Sequence, residues 1–150
     1  KRLQLSPFCV VQHHSSQSGG AKRPHTEHVQ GRIGRRQEEI ERVDPMLMRP
    51  GVRAAGRWYA GSLPTKDPRV SPLFGELVGL PPILMFCGTH DILVADARRF
   101  ALRAEVEGIS VTYHEEPRLM HVYPLLFFPE SRKAQDEIAR FVSRLPDGTA

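Results

Sequence analysis

The chain has 150 residues, a formal net charge of +4, enough apolar residues for a core, and two cysteines. Seven basic and three acidic residues among residues 1–40 account for the whole excess of charge, so residues 41–150 are neutral, which argues against a nucleic-acid-binding domain. No apolar run is long enough to span a membrane, and Cys87 lies inside an apolar run, so we expect a cytoplasmic protein without a disulfide framework.

The composition changes near residue 40. Residues 12–37 are rich in His, Ser, Gln, Gly and Arg and show no helical or strand periodicity, so we expect residues 1–40 to form an irregular, basic tail. His25 and His28 have helical spacing, but no Cys or acid completes a ligand set, so no metal site is expected. Arg32, Arg35 and Arg36 lack interleaved aromatic residues, which favours a solvated tail over a nucleic-acid partner.

Residues 41–146 are expected to form one domain, followed by a short tail at 147–150. Asp44 followed by Pro45 is typical of a helix start. A second helix is expected from Pro50 to Tyr59, ended by Gly61. It should bury its apolar side chains, which are Val52, Ala55 and Trp58 or Tyr59. The five prolines between Pro64 and Pro82 indicate an extended connection.

The last seventy residues read as β-α-β-α, which predicts an α/β fold with a parallel sheet. The first strand, Ile83–Cys87, lacks alternation and should be covered on both faces, whereas the second, Ile109–His114, alternates and should lie near an edge. The helices are expected at Val94–Glu107, ended by Gly108, and at Pro129–Leu145, closed by Pro146. Two strands make a poor sheet by themselves, so we expect the chain to be partly unfolded or self-associated.

Two polar residues follow the two predicted strands. Asp91 comes after the first strand through a short turn, and His121 comes after the second through a loop. An acid and then a histidine in these positions match the last two members of a Ser-Asp-His triad in the chain order of the α/β-hydrolases. The alternatives are an ordinary turn or helix-capping aspartate and an ordinary loop histidine.

Three stretches of sequence carry a family resemblance. These are DPMLMRPGVRAAGRWYAG, DPRVSPLFGELVGLPPILMFCGTHDIL and HEEPRLMHVYPLL, in that order. Together they resemble the C-terminal portion of a hormone-sensitive-lipase-like carboxylesterase, over roughly Glu41 to Leu145. The resemblance implies the last parallel strands and flanking helices of an α/β-hydrolase fold, a small acyl ester as substrate, and no cofactor. It also implies that Asp91 and His121 are catalytic and that four residues of a cap line the acyl pocket, namely Met46, Leu47, Trp58 and Tyr59.

The sequence also departs from the family pattern. It contains neither a His-Gly-Gly-Gly oxyanion stretch nor a Gly-x-Ser-x-Gly elbow. Ser18 comes nearest but lacks the glycine two residues before it, so we expect a polar tail residue and no nucleophile. We therefore expect a truncated or frameshifted gene product that is inactive alone and needs a complementing N-terminal half. The alternative is a non-catalytic remnant or a partner-binding domain.

Overall fold

The computed structural model describes residues 37–145. This part of the chain forms four α-helices and two β-strands, and strands and helices alternate in its second half. We name them in chain order: α1 (Gln37–Glu41), α2 (Arg49–Ala60), β1 (Ile83–Gly88), α3 (Val94–Val106), β2 (Val111–Glu116) and α4 (Pro129–Ser143). Two 3₁₀ turns interrupt the connections, at Pro72–Phe74 and Tyr123–Leu125. None of the helices within 37–145 has the length and apolar character that a membrane crossing requires.

The two strands are parallel, and α3 forms the crossover between them. The register runs from Ile83 opposite Val111 to Gly88 opposite Glu116. Both strands therefore end at the same edge of the sheet, and the loops that follow them start side by side. This arrangement confirms the predicted α/β class and the parallel pairing.

The sheet has a different layer on each face. On one face, a buried cluster of Ile40, Cys87 and Val94 packs with Ala97 and Tyr113, so α1 and α3 cover this side. On the other face, the ring of Phe86 stacks on His114 with centroids 4.9 Å apart and meets Tyr123 edge-on at 6.4 Å. The two layers fix the carboxyl ends of β1 and β2 from both sides.

The structure shifts one predicted strand. β2 runs from Val111 to Glu116, two residues later than expected, because the end of α3 uses the preceding residues. Gly108 has the expected left-handed conformation, with φ of 75°. The N–H of Ile109 then donates to the carbonyl of Ala104, so Ile109 closes the helix and does not join the strand. The last helix ends at Ser143, which is two residues earlier than the expected end at Leu145.

The helix expected to begin at Asp44 does not form. Asp44 does accept the N–H groups of Met46 and Leu47, as an N-cap residue would, but residues 44–48 are turn and extended chain. The reason is Pro50, which has no N–H for the carbonyl of Met46 and would clash with it in a continuous helix. Pro50 instead lies in the first turn of α2, where it is tolerated.

The orientation of α2 also differs from the prediction. Ala55 and Tyr59 are exposed, and Trp58 has 87% of its surface exposed. The inward side is fixed by Arg49, which pairs with Glu38 and Glu41 of α1, and by the buried Ala60. Val52, the other residue of the expected stripe, is half-buried, so α2 packs inward near Val52 and Ala60 and leaves Ala55, Trp58 and Tyr59 exposed.

The expected start of the domain at residue 41 falls inside α1. Ile40 has only 1% of its surface exposed, so residues 37–40 belong to the folded part and not to an irregular tail. The remaining predictions for the tails concern Ser18, His25, His28, Arg32, Arg35, Arg36 and Pro146, which lie outside the described residues.

Candidate active site

Asp91 lies in the turn between β1 and α3. Its N–H donates to the carbonyl of Gly88 at 3.2 Å, which closes the turn as soon as the strand ends. Its Oδ1 accepts the N–H of Leu93 at 2.8 Å, and its carbonyl accepts that of Val94. Asp91 therefore stabilises the turn before α3, as an ordinary turn aspartate would, but this uses only one carboxylate oxygen.

His121 is presented by a loop that is attached to the Asp91 turn. The backbone N–H groups of Thr89 and His90 donate to the backbone carbonyls of Glu116 and Leu119. The hydroxyl of Thr89 accepts the N–H of Arg118 at 2.7 Å. Two residues in the loop have left-handed backbones: Arg118 with φ of 62° and Val122 with φ of 50°. A left-handed backbone is costly for residues other than glycine, so the surrounding hydrogen bonds must stabilise these two conformations.

The loop after His121 is fixed to α4. Ser131 is fully buried, and its hydroxyl donates to the carbonyl of Tyr123 at 2.6 Å while accepting the N–H of Phe128. These bonds satisfy polar groups that the loop would otherwise bury without partners. The C-terminal helix thus supports the segment that follows the histidine.

Asp91 and His121 are in direct contact. Nδ1 of His121 lies 2.8 Å from Oδ2 of Asp91, and the residues are 7% and 4% exposed. An ionised carboxylate can only accept, so this geometry suits a ring that donates from Nδ1. In the neutral ring of that tautomer the lone pair is on Nε2, which is the atom that can take a proton from a nucleophile.

A buried polar layer lies behind the pair. Arg98 of α3 makes two hydrogen bonds to Glu115 of β2, at 2.7 and 2.8 Å, and the hydroxyl of Tyr113 donates to the same carboxylate. The thiol of Cys87 lies 3.8 Å from Oδ2 of Asp91. Burial, and then the charges of Asp91 and Glu115, raise the pKa of this thiol, so Cys87 stays neutral beside the carboxylate.

The four residues expected to line a substrate pocket fall into two places. Met46 and Leu47 lie in the turn that Asp44 holds, and the other oxygen of Asp44 accepts the N–H of Ile92, directly after Asp91. Trp58 and Tyr59 lie on the outward side of α2. The structure thus joins the first two to the Asp91 turn, and it leaves the side chains of the last two exposed on α2.

Sequence reasoning missed three contributors to this site: Asp44, Cys87 and the Arg98–Glu115 pair. The signal for Asp44 was present, since an aspartate before proline indicates a helix cap, but the partner 48 residues away has no local signature. Within residues 37–145, no three His, Cys, Asp or Glu side chains are grouped so that they could hold a metal ion.

Comparisons with known proteins agree with this geometry. The model of a family described as the alpha/beta hydrolase fold matches residues 24–125. An esterase of Acinetobacter venetianus is 32% identical over 108 residues, which cover 70% of this chain and 36% of the relative. An acetyl-hydrolase of Streptomyces hygroscopicus is 38% identical over 94 residues, which cover 60% of this chain and 30% of the relative.

Solved structures give the same result. The hormone-sensitive-lipase homologue EstE7 from a metagenome library superposes with a TM-score of 0.68 and 25% identity, over 74% of this chain and 39% of that one. An esterase from the bacterial hormone-sensitive lipase family gives 0.66 and 28%, over 70% and 36%. The chain thus spans about a third of the length of the curated relatives it matches. It belongs to the α/β-hydrolase fold family, among the hormone-sensitive-lipase-like esterases and lipases.

Proposed function

We propose that Asp91 and His121 are the acid and the base of a Ser-Asp-His triad that hydrolyses carboxylic esters. The observation that carries the proposal is the buried contact of 2.8 Å between Nδ1 of His121 and Oδ2 of Asp91, at the carboxyl ends of two adjacent parallel strands. Loops at that edge are where α/β folds place their catalytic groups. The esterase and acetyl-hydrolase relatives support the choice of reaction.

In this mechanism Nε2 of His121 takes the proton of a serine hydroxyl as the serine attacks the ester carbonyl. The same nitrogen then returns the proton to the leaving alcohol. Asp91 holds the ring in the tautomer that this requires and stabilises the imidazolium that forms. The sequence contains no Gly-x-Ser-x-Gly elbow, so we assign the nucleophile and the oxyanion donors to a complementing segment outside it.

We assign the acyl side of the substrate to Met46, Leu47, Trp58 and Tyr59. Three of these side chains are exposed apolar groups, and Trp58 exposes most of its surface. Exposed apolar clusters mark surfaces that bind apolar partners, and an acyl chain is such a partner. The bond from Asp44 to Ile92 supports a location of the Met46–Leu47 turn beside the catalytic acid.

A second candidate is a partner-binding domain without turnover. The absence of an elbow in the sequence and the outward apolar side of α2 favour it. The two candidates differ in what happens when a nucleophile is supplied. Both predict no hydrolysis by the chain alone, but only the first predicts hydrolysis after complementation.

The test uses the full chain with and without a polypeptide that covers the remaining two thirds of the Acinetobacter venetianus esterase. Hydrolysis of p-nitrophenyl butyrate is measured for the wild type, Asp91→Asn and His121→Ala, with His90→Ala as the matched control. His90 contributes its backbone N–H to the loop but no side-chain hydrogen bond among the described contacts. We expect turnover in the mixture, unchanged in the control and reduced about 10⁴-fold in the two site variants.

Turnover that survives His121→Ala would contradict the proposed acid–base pair. Binding of the added polypeptide without turnover, shown by co-elution on a sizing column, would instead support the partner-binding candidate. Failure of the two polypeptides to associate at all would contradict the complementation that the first candidate requires.

A further inference from the structure

Asp44 joins two segments that are far apart in the sequence. Its Oδ1 accepts the N–H groups of Met46 and Leu47, both at 2.9 Å, which closes the turn before α2. Its Oδ2 accepts the N–H of Ile92 at 2.8 Å, and Ile92 is buried. One carboxylate therefore ties the turn at 46–47 to the first residue after Asp91.

The bond to Ile92 affects what Asp91 can do. Ile92 and Leu93 carry consecutive N–H groups in the turn just before α3, and backbone groups that are buried need acceptors. Asp44 takes the first and Oδ1 of Asp91 takes the second, which leaves Oδ2 of Asp91 directed at His121. Without Asp44, the N–H of the buried Ile92 would lose this acceptor, and the turn that carries Asp91 would lose its tie to residue 44.

We propose that Asp44 is a positioning residue for the Asp91–His121 pair, an inference that rests on the proposed function. Asp44 holds the turn before α3, so that Asp91 keeps its Oδ2 directed at the histidine. It also ties the Met46–Leu47 turn to Ile92, the residue after Asp91, so the assigned acyl-binding turn and the proposed catalytic acid are held together. Asp44 acts through Ile92 and Asp91 and has no direct part in proton transfer.

The variant Asp44→Asn separates the two tasks of the side chain. An asparagine has one acceptor oxygen, which can serve the local turn or Ile92 but not both. The turn is only two to three residues away, so we expect it to keep the oxygen. Asp44→Ala removes both tasks. Asp67→Ala is the matched control, because Asp67 also caps a local turn through Oδ1 but bonds to Arg69 and not to the Asp91 turn.

The test is hydrogen exchange by NMR on the full chain, together with the proton resonance of the Nδ1–H of His121, assigned by its loss in His121→Ala. In Asp44→Asn we expect the Ile92 amide to exchange about ten- to hundredfold faster, because loss of a hydrogen bond to a charged acceptor shifts the opening equilibrium of the amide by about that factor. The Met46 and Leu47 amides should keep their protection. The Nδ1–H resonance should move upfield as its bond to Asp91 weakens, whereas the control should leave both signals unchanged.

Wild-type exchange at Ile92 in Asp44→Asn, or an Nδ1–H signal that responds equally to Asp67→Ala, would overturn the assignment. If Asp44→Ala does not fold, Asp44→Asn still decides the question, because it keeps the local turn. Neither signal depends on turnover, so this proposal can fail while the proposed ester hydrolysis stands, and the reverse also holds.

Discussion

The sharpest test of the site is the substitution Gly88→Ala. Gly88 is the last residue of β1, and the loop that carries His121 passes directly over it. A Cβ at this position would overlap the carbonyl group of Leu119 and come within 3.0 Å of the backbone nitrogen of Met120. Both neighbours are backbone atoms one or two residues before His121, so no side chain can rotate away to make room.

The cost follows from these contacts. The loop must retreat by on the order of 1 Å to restore an ordinary van der Waals separation. This retreat breaks the 3.0 Å bond from the N–H of His90 to Leu119. Overpacking costs about 1–3 kcal/mol and the lost hydrogen bond about 0.5–1.5 kcal/mol, so the free energy of unfolding should fall by roughly 1.5–4.5 kcal/mol. If His121 is the base of the proposed triad, a displacement of this size should also lower turnover of the complemented protein about 10²-fold.

Urea unfolding followed by circular dichroism measures the loss of stability, and Gly56→Ala is the matched control. Gly56 lies inside α2, and a Cβ there meets nothing within 4 Å. Alanine in that helix should raise the free energy of unfolding by about 0.5–1 kcal/mol. Equal effects of the two substitutions, or a Gly88→Ala variant as stable as the wild type, would refute the close approach of the His121 loop to β1.

Two further predictions concern the polar layer behind the pair. Arg98→Ala leaves Glu115 buried without the partner that binds it through two hydrogen bonds, so it should cost about 3–5 kcal/mol in urea unfolding. Arg140→Ala, which breaks the exposed pair with Glu137, should cost at most about 1 kcal/mol, and equal losses would contradict the importance of burial. Burial holds the pKa of the Cys87 thiol above the ordinary value of 9.0, so the thiol contributes stability that is fully present below pH 9.0 and is lost as the pH rises above it. Cys87→Ala should therefore flatten the alkaline fall of the urea midpoint, and an unchanged slope would count against a buried neutral thiol.

The parts of the fold that the sequence predicted well are those set by local chemistry. The apolar run at 83–87 forms β1, and Gly108 stops α3 because a left-handed residue is needed there. The contact between Asp91 and His121 also agrees with the expectation, since parallel strands place the residues that follow them at one edge. Whether the two residues are catalytic is a proposal, which the site variants test.

The errors have a common cause, which is that local patterns do not specify long-range partners. The amphipathic pattern of α2 predicted a helix correctly, but it did not reveal that Arg49 pairs with Glu41 of α1 or that Trp58 is exposed. Asp44 has the local bonds of a helix cap, but its other oxygen bonds to Ile92. In both places a charged side chain bonds to a segment that lies apart in the sequence, and the apolar pattern does not reveal such a bond.

The register of β1 and β2 determines whether Asp91 and His121 can meet. A slip of one residue would exchange the faces of β2 and move Glu115 to the opposite layer, so the competing arrangement is a slip of two. That slip would shift the His121 loop by about 6.6 Å along the strand, far beyond hydrogen-bond reach of Asp91. It would also separate Glu115 from Arg98 and so break a largely buried ion pair. The ion pair therefore holds the register, and the register brings His121 to Asp91, so the pair is assembled by the segment from β1 to the loop after β2.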